Sequence, residues 1–291
     1  MSGSEKQLTR AVFPLLPVLS VIVPVYNEEE TIEQILDQVH RLTFVKEVIV
    51  VDDGSTDATC QKVENLCLQN VKLIRSERNS GKTAAVRRGL QEVTGEITII
   101  QDADLEYDPG EIADVIWPIL QNKADVVYGS RFLIKRATRV LYFYHYLANK
   151  ALTFLSNLLT NVNMTDIETC YKAFRTPLIK QMPISSSSFG MEAEITALIT
   201  KTRARLYEVP ISYYGRTYEE GKKISAWDGL AAIWYILFDN LIIPHTPACR
   251  RYIREANAFL QHVAAQGETP ATQTASTTYQ RSPECGTFSE P

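Results

Sequence analysis

Residues 19–25, with the sequence LSVIVPV, form a short run of apolar and β-branched side chains that is typical of a buried strand. Similar runs recur at 47–51, 71–75, 97–101 and 125–128. Amphipathic patterns typical of helices separate them, at 28–42, 57–69, 81–93 and 110–121. This alternation of strands and helices with short connections predicts an α/β fold, in which a mainly parallel sheet is flanked by helices on both faces.

The second half of the chain has a less regular order. Apolar patterns predict a helix at 141–160, a strand at 169–174, a helix at 190–202, a strand at 206–211 and a helix at 226–243. From residue 266 the composition is dominated by Thr, Ser, Gln, Pro and Gly, which cannot bury enough apolar surface to order a segment. We therefore expect a disordered tail at 266–291.

The overall composition disfavours several classes of protein. The chain has 291 residues, with 30 Lys and Arg against 34 Asp and Glu, and this weak negative balance disfavours a nucleic-acid partner. The five cysteines show no C-x-x-C spacing, which disfavours a zinc site or a disulfide framework. The first ten residues, MSGSEKQLTR, have no long apolar core, so we expect no signal peptide and a cytoplasmic location.

Acidic residues follow three of the predicted strands. They are Glu28 and Glu29 after the first strand, Asp52 and Asp53 after the second, and Asp102, Asp104 and Glu106 after the fourth. Because ligands bind at the carboxyl ends of the strands in such sheets, these carboxylates are expected to meet at the binding edge.

The repulsion between these carboxylates favours a bound hard cation, Mg²⁺ or Mn²⁺. In an extended segment Asp102, Asp104 and Glu106 would point to the same side, because side chains alternate along a strand. Protein-bound Mg²⁺ typically completes its coordination with substrate phosphates. The pattern therefore predicts a metal-bound diphosphate substrate.

The same motifs also have structural interpretations. Asp53 and Asp57 could simply cap the following helix. The segment SGKT at 80–83 resembles the end of a phosphate-binding P-loop, but position 76 is Ser where that loop requires Gly. Lys82 remains a candidate phosphate contact at a helix start. The chain has no G-x-G-x-x-G motif, which disfavours a dinucleotide site.

Together these motifs resemble those of family 2 glycosyltransferases with the GT-A fold. They are PVYNE at 24–28, VDDGSTD at 51–57, N-x-G at 79–81 and DAD at 102–104. Three further stretches, DLEYDP at 104–109, GSR at 129–131 and TD-x-ETCYK at 165–172, are similar to dolichyl- and polyprenyl-phosphate mannose synthases. The resemblance implies an N-terminal extension (1–17), a GT-A catalytic domain (18–225) and C-terminal apolar and amphipathic helices (226–265).

The resemblance also implies an inverting transferase that uses a nucleotide-activated sugar. The residues expected to hold the base and ribose of the donor are Pro24, Tyr26, Glu28 and Asp53. Those expected to serve the metal ion and the diphosphate are Asp102 and Asp104, with Glu106 as a further metal ligand. Those expected to bind phosphate groups of the donor and of a polyprenyl phosphate acceptor are Arg131, Arg216 and a lysine from Lys222 or Lys223.

Two positions depart from the family pattern. Glu106 stands where Gln is more common, and the loop between Arg216 and the two lysines is longer than usual. The Gln-x-x-Arg-Trp motif of processive polysaccharide synthases is absent, which disfavours a polymerase.

The amphipathic segment 141–160 leaves two interpretations open. It could be an ordinary surface helix whose apolar half covers the core. Alternatively, the basic residues that precede it, Arg131, Lys135, Arg136 and Arg139, could direct it to an anionic membrane surface, as a lipid acceptor would require.

The second apolar segment, 226–243, contains Asp228 and Asp239. Because a spanning helix has few or no charges, we expect this segment to lie in the membrane interface or to pack on the domain, with peripheral association of the protein.

The leading hypothesis is a metal-dependent polyprenyl-phosphate glycosyltransferase at the cytosolic membrane face. GDP-mannose is the first choice of donor, with UDP-glucose or UDP-N-acetylglucosamine as alternatives. A soluble transferase that acts on a glycan, a protein or a small molecule remains open. A nucleotidyltransferase is disfavoured because 24–28 is not a Gly-rich basic loop, and a non-enzymatic nucleotide-sugar sensor is disfavoured by the intact Asp102 and Asp104.

Overall fold

The structure, a computed structural model, describes residues 17–133, 139, 142–186, 190–215 and 226–267. Most of the expected N-terminal extension and of the expected tail lies outside the described residues, and so do Lys135, Arg136, Arg216, Lys222 and Lys223.

Seven strands of the described chain form one sheet. They are β1 (Leu19–Val25), β2 (Val45–Asp52), β3 (Val71–Arg75), β4 (Ile97–Ile100), β5 (Val126–Ser130), β6 (Lys172–Arg175) and β7 (Leu206–Pro210). Their order across the sheet is β3-β2-β1-β4-β6-β5-β7. Of these strands, β6 runs antiparallel to its neighbours β4 and β5, and the other pairs are parallel. The predicted α/β fold with a mainly parallel sheet is confirmed.

The helices of the described chain pack on both faces of this sheet. They are α1 (Ile32–His40), α2 (Thr59–Asn65), α3 (Lys82–Glu92), α4 (Ile112–Leu120), α5 (Phe143–Thr160), α6 (Thr176–Lys180), α7 (Met191–Ile199), α8 (Ala226–Leu241) and α9 (Pro247–Gly267). On β1, Val21 and Val23 belong to the core shared with α1 and α4, whereas Ile22 belongs to the core shared with α3, α7 and α9. Because successive side chains of a strand point to opposite faces of the sheet, β1 contributes residues to both cores.

Several elements start later than predicted, and at two of them side-chain partners take up the backbone groups that come before. At the first, α1 begins at Ile32, since the Glu28 amide donates to Thr59 Oγ1 (2.9 Å) and the Glu29 amide donates to an Asp57 carboxylate oxygen (3.2 Å). At the second, β6 begins at Lys172 and not at 169. The Cys170 amide there donates to the Tyr107 hydroxyl (3.2 Å) instead of joining the sheet.

Helix α5 turns polar side chains toward the protein and large apolar side chains toward solvent. Its buried residues are Thr153 and Ser156, and only one apolar edge, with Leu152, Leu155 and Leu159, packs partly buried against the domain. The exposed apolar residues of α5 are Phe143, Tyr144, Leu147, Phe154 and Leu158. Most of the apolar half of this helix therefore does not cover the core.

Helix α8 packs against α5 and α7 and also exposes part of its apolar surface. Its buried residues are both apolar (Ala232, Ile236) and polar (Asp239, Asn240). Its exposed apolar residues are Leu230, Ile233, Trp234 and Leu241. None of the described helices combines the length and the apolarity needed to cross a bilayer.

Asp239 has an unusual environment for a carboxylate. Its side chain is 2% exposed, and no described group hydrogen-bonds to its Oδ2. Burial, together with the negative charge of Glu194, raises the pKa of Asp239 to about 7. The folded protein therefore retains a proton that an unfolded aspartate releases near pH ~4. The resulting contribution to stability is complete below pH ~4 and is lost as the pH rises through about 7.

We expect Asp239→Asn to raise the free energy of unfolding by about 1–3 kcal/mol at pH ~8, and by much less at pH ~4, because the amide is neutral at every pH. Urea denaturation at the two pH values measures this difference. Asp37→Asn, at an exposed position on α1, is the control and should show little change. Equal effects of Asp239→Asn at both pH values would contradict the assigned pKa.

Helix α3 lies very close to the sheet at Gly89. A Cβ at Gly89 would lie 2.7 Å from Ile22 Cγ2 and 3.3 Å from Val51 Cγ2. Gly89→Ala should therefore lower the free energy of unfolding by about 1–3 kcal/mol, despite the better helix propensity of alanine. Gly229→Ala, in α8, meets nothing within 4 Å and should leave stability unchanged or raise it. Urea denaturation of both variants tests the packing, and equal effects would argue against it.

Candidate active site

The carboxyl ends of β1, β2 and β4 lie side by side, because these strands are neighbours in the sheet. A cleft of about 320 Å³ opens at this edge. Seven of the residues expected in the site line it: Pro24, Tyr26, Glu28, Asp53, Lys82, Asp102 and Asp104. Glu106 and Arg131 do not line this cleft.

Asp53 organises the loop that leads into α3. Its carboxylate accepts hydrogen bonds from the backbone amides of Ser80 (3.0 Å) and Gly81 (2.6 Å). Gly54 permits the close approach of the two loops, since it has a φ of +81° and a Cβ there would lie 2.8 Å from the Arg78 carbonyl carbon. Asp53 thus fixes the loop that precedes α3, which begins at Lys82.

Lys82 forms an ion pair across the cleft. Its Nζ lies 2.7 Å from Asp102 Oδ1 and 3.7 Å from Glu192 Oε1, and it donates to Cys170 Sγ at 2.9 Å. Burial opposes the charge of Lys82, but the neighbouring Asp102, Cys170 and Glu192 outweigh it and raise the pKa of the amine. Burial likewise opposes ionisation of Asp102, and Lys82 outweighs it, so the pKa of Asp102 is lowered. Lys82 therefore neutralises Asp102, and its side chain also lines the cleft.

The segment from Asp102 to Glu106 is a turn and not an extended strand. Strand β4 ends at Ile100, and Leu105 has a φ of +61°. The Glu106 amide donates to Asp104 Oδ1 (3.2 Å), and the Glu106 carboxylate accepts a hydrogen bond from the Tyr213 hydroxyl (2.8 Å). The expectation that alternation aligns the three acids is therefore wrong, because the left-handed residue turns the chain between Asp104 and Glu106.

The fit of the acidic edge to a metal ion depends on how many protein ligands the ion needs. Among the described residues, no three His, Cys, Asp or Glu side chains are placed to hold one metal ion. Mg²⁺ usually needs only one or two protein carboxylates when substrate phosphates complete its coordination. Asp104, which lines the cleft beside Asp102, fits this smaller requirement.

A second cleft of about 330 Å³ shares Glu28 and Asp104 with the first. Glu30, Arg139 and Tyr214 also line it. Arg139 Nη1 donates to the Gly215 carbonyl oxygen (3.1 Å). Asp104 therefore lies where the two clefts meet, and the second cleft contains one cation, Arg139.

Arg131 is held in place by a carboxylate that the sequence analysis did not assign. Its Nε and Nη2 donate to the two carboxylate oxygens of Asp166 at 2.7 and 2.8 Å. Its guanidinium carbon also lies 5.1 Å from the centroid of Tyr213, whose hydroxyl binds Glu106. Burial opposes ionisation of Asp166, but Arg131 outweighs it and lowers the pKa of this carboxyl. Asp166 is the second residue of the TD-x-ETCYK motif at 165–172, and this motif is the sequence feature that could have identified it.

Two further buried ionisable groups lie behind the cleft. Burial, with the charge of Glu192, raises the pKa of Glu168 to about 7. Lys172 is 1% exposed, and its Nζ lies 5.0 Å from the ring centroid of Tyr128. Burial lowers the pKa of Lys172 despite nearby acids. Both residues belong to the TD-x-ETCYK motif. The motif did not assign their roles, because burial and the nearby Glu192 of α7 belong to the tertiary structure.

We expect Asp166→Asn to lower the free energy of unfolding by about 3–5 kcal/mol, because it leaves the Arg131 charge buried without its carboxylate. The double variant Arg131→Met with Asp166→Asn should be less destabilised than Asp166→Asn alone. Urea denaturation of the two single variants and the double variant forms a double-mutant cycle. Strictly additive losses would contradict the pairing.

Comparison with known proteins agrees with this architecture. The model for Glycosyl transferase family 2 matches residues 20–182. A dolichol-phosphate mannosyltransferase of Pyrococcus furiosus is 30% identical over 209 residues, which cover 70% of this chain and 58% of that protein. A UDP-N-acetylglucosamine–dolichyl-phosphate N-acetylglucosaminyltransferase of Methanococcus voltae is 26% identical over 239 residues, covering 76% of this chain and 95% of that protein.

Solved structures show the same fold. The glucosyl-3-phosphoglycerate synthase of Mycobacterium tuberculosis aligns with a TM-score of 0.62 and 20% identity, covering 81% of this chain and 84% of that one. The same enzyme was solved with Mn²⁺, uridine diphosphate and phosphoglyceric acid. The expected GT-A fold is confirmed. Since the family model matches more than half of the sequence and agrees with the strand-end motifs, this chain belongs to glycosyl transferase family 2.

Proposed function

We propose that this protein is an inverting, metal-dependent glycosyltransferase that moves a sugar, with mannose as the first choice, from a nucleotide-diphosphate sugar to a polyprenyl or dolichyl phosphate. The observation that carries this proposal is the combination of an acid-lined cleft at the strand ends with helices that expose their apolar sides. The names of the Pyrococcus and Methanococcus relatives support a lipid phosphate acceptor. The chain spans 58% of the length of the Pyrococcus relative.

The first cleft is the proposed donor site. Pro24, Tyr26 and Glu28 would contact the base and ribose, and Asp53 would keep the neighbouring loop in place through its bonds to Ser80 and Gly81. Asp104, with Asp102 beside it, would hold Mg²⁺ or Mn²⁺ together with the donor diphosphate. The bound ion would supply neutralisation of the charge that develops on the leaving diphosphate. Glu106, held by Tyr213, is a candidate for a supporting contact.

The second cleft and Arg131 are the proposed acceptor region. A lipid phosphate is already ionised, so its attack on the anomeric carbon needs no general base. The protein must instead hold two anions close together, which requires cations with fixed positions. Asp166 uses two of the five N–H donors of Arg131 and leaves the others to contact a phosphate. Arg216 and Lys222 or Lys223 would complete this cationic set.

The exposed apolar residues of α5 and α8 are the proposed contact with the membrane surface. Phe143, Tyr144 and Trp234 are aromatic, and each is more than half exposed. Aromatic and aliphatic side chains on one side of a helix suit the boundary between lipid head groups and acyl chains. We therefore propose peripheral association with the cytoplasmic face of a membrane.

Two alternatives use the same site. The first is a UDP-glucose or UDP-N-acetylglucosamine donor with a lipid phosphate acceptor, which the Methanococcus relative favours. The second is a water-soluble acceptor, which the complex of the Mycobacterium structure with phosphoglyceric acid favours.

The deciding experiment mixes purified protein, Mn²⁺ or Mg²⁺, a polyprenyl phosphate and one labelled donor at a time, and counts label extracted into organic solvent. GDP-mannose, UDP-glucose and UDP-N-acetylglucosamine are compared. We expect metal-dependent extraction of label from one donor. Asp104→Asn should reduce the rate by about 100-fold or more, because it removes charge stabilisation that develops in the transition state. Asp114→Asn, on the exposed side of α4, is the matched control and should remain active.

Label that appears only in water-soluble product would favour the soluble acceptor. Near-normal activity of Asp104→Asn would overturn the proposed metal site. No transfer from any donor to any acceptor would overturn the proposed function.

A further inference from the structure

Lys150 lies on the protein-facing side of α5, close to Arg131. Its Nζ donates to the Thr165 carbonyl oxygen (3.3 Å) and lies 4.4 Å from the ring centroid of Phe132. The guanidinium carbon of Arg131 lies 5.7 Å from the same centroid. Thr165 is adjacent in sequence to Asp166, which binds Arg131. Lys150 and Arg131 are therefore held by the consecutive residues Thr165 and Asp166, and both cations lie near the ring of Phe132.

The charge of Lys150 has no acidic partner in the described chain. None of the described carboxylates lies at ion-pair distance from its Nζ, whereas Arg131 is paired with Asp166. The Lys150 residue is half-buried, and its Nζ lies near the rings of Phe132 and Tyr146. A partly desolvated cation without an anion is a favourable position for an anionic ligand, because a buried charge is normally paired.

The position of α5 indicates which anion would suit this cation. The outward side of α5 carries Phe143, Leu147 and Phe154, and its inward side carries Lys150. A ligand with an apolar chain and a charged end could place the chain along the outward side and the charge at the inward side. A phosphomonoester carries about −1.5 to −2 charges near pH 7, so that one guanidinium alone does not balance it.

We propose that Lys150 is a second cationic contact for the phosphate of the lipid acceptor and acts beside Arg131. This inference rests on the proposed function and adds a residue that determines acceptor affinity. Lys150 does not take part in bond making. It supplies a point charge, whereas the guanidinium of Arg131 supplies directional hydrogen bonds.

The test measures binding of geranyl phosphate, a short water-soluble prenyl phosphate, by isothermal titration calorimetry on the full chain. Lys150→Met keeps an unbranched side chain and removes the charge, and Lys150→Arg keeps the charge. Lys180→Met is the matched control, since Lys180 also donates to a backbone carbonyl, that of Val93 (2.9 Å), at a distant position. The affinity for the released nucleotide diphosphate, GDP or UDP, is measured on each variant as a test of the donor site.

We expect Lys150→Met to weaken geranyl phosphate binding about tenfold, a factor that corresponds to ~1.4 kcal/mol. Nucleotide binding should not change, Lys150→Arg should retain most of the affinity, and Lys180→Met should behave as the wild type. In the transfer assay Lys150→Met should raise the KM for the lipid acceptor more than it lowers kcat.

Unchanged geranyl phosphate affinity in Lys150→Met would overturn the inference, and so would a wild-type protein that does not bind geranyl phosphate. An equal loss of nucleotide binding would show a general structural role and would also overturn it. If the wild type binds geranyl phosphate through Lys150 but transfers no sugar to polyprenyl phosphate, the proposed function fails while the inference stands.

Discussion

Several carboxylates meet at one edge of the sheet, and their negative charges must be compensated. The arrangement of the site follows from this constraint. Asp53, Asp102 and Asp104 line a single cleft, and each negative charge raises the energy of the others unless it is compensated. Backbone amides of Ser80 and Gly81 compensate Asp53, and Lys82 compensates Asp102. Asp104 lies where the two clefts meet, which makes it the acid best placed to share a cation with a diphosphate.

Around Arg131 it is a buried positive charge that must be compensated. Its buried charge is compensated by Asp166, and Glu208 in turn accepts hydrogen bonds from the amides of Thr165 and Asp166. This network places Arg131 beside Tyr213 and Phe132 and leaves the nearby Lys150 without a described acidic neighbour. With a cation bound at the acidic edge, these two regions would suit the proposed reaction between two anions.

Helices α5 and α8 link this region to the proposed membrane contact. Both helices bury some polar residues, namely Thr153, Ser156 and Asp239, and expose aromatic and aliphatic residues. This arrangement lowers stability in water, because apolar surface remains hydrated and Asp239 is buried with one unsatisfied oxygen. An apolar surrounding on the outer side would recover part of this free energy.

The sequence by itself determined the α/β fold, the positions of all seven strands within a few residues and the set of acids at the strand ends. Short apolar runs and the short connections between them are local features, so the chain's own pattern of side chains is sufficient to indicate the strands. Only the tertiary structure decided that Asp53 holds the loop before α3, that Lys82 pairs with Asp102, that Leu105 breaks the alignment of Asp104 and Glu106, and that α5 faces inward with its polar side. These features depend on contacts between residues far apart in the chain and on the compensation of buried charge, which no local periodicity encodes.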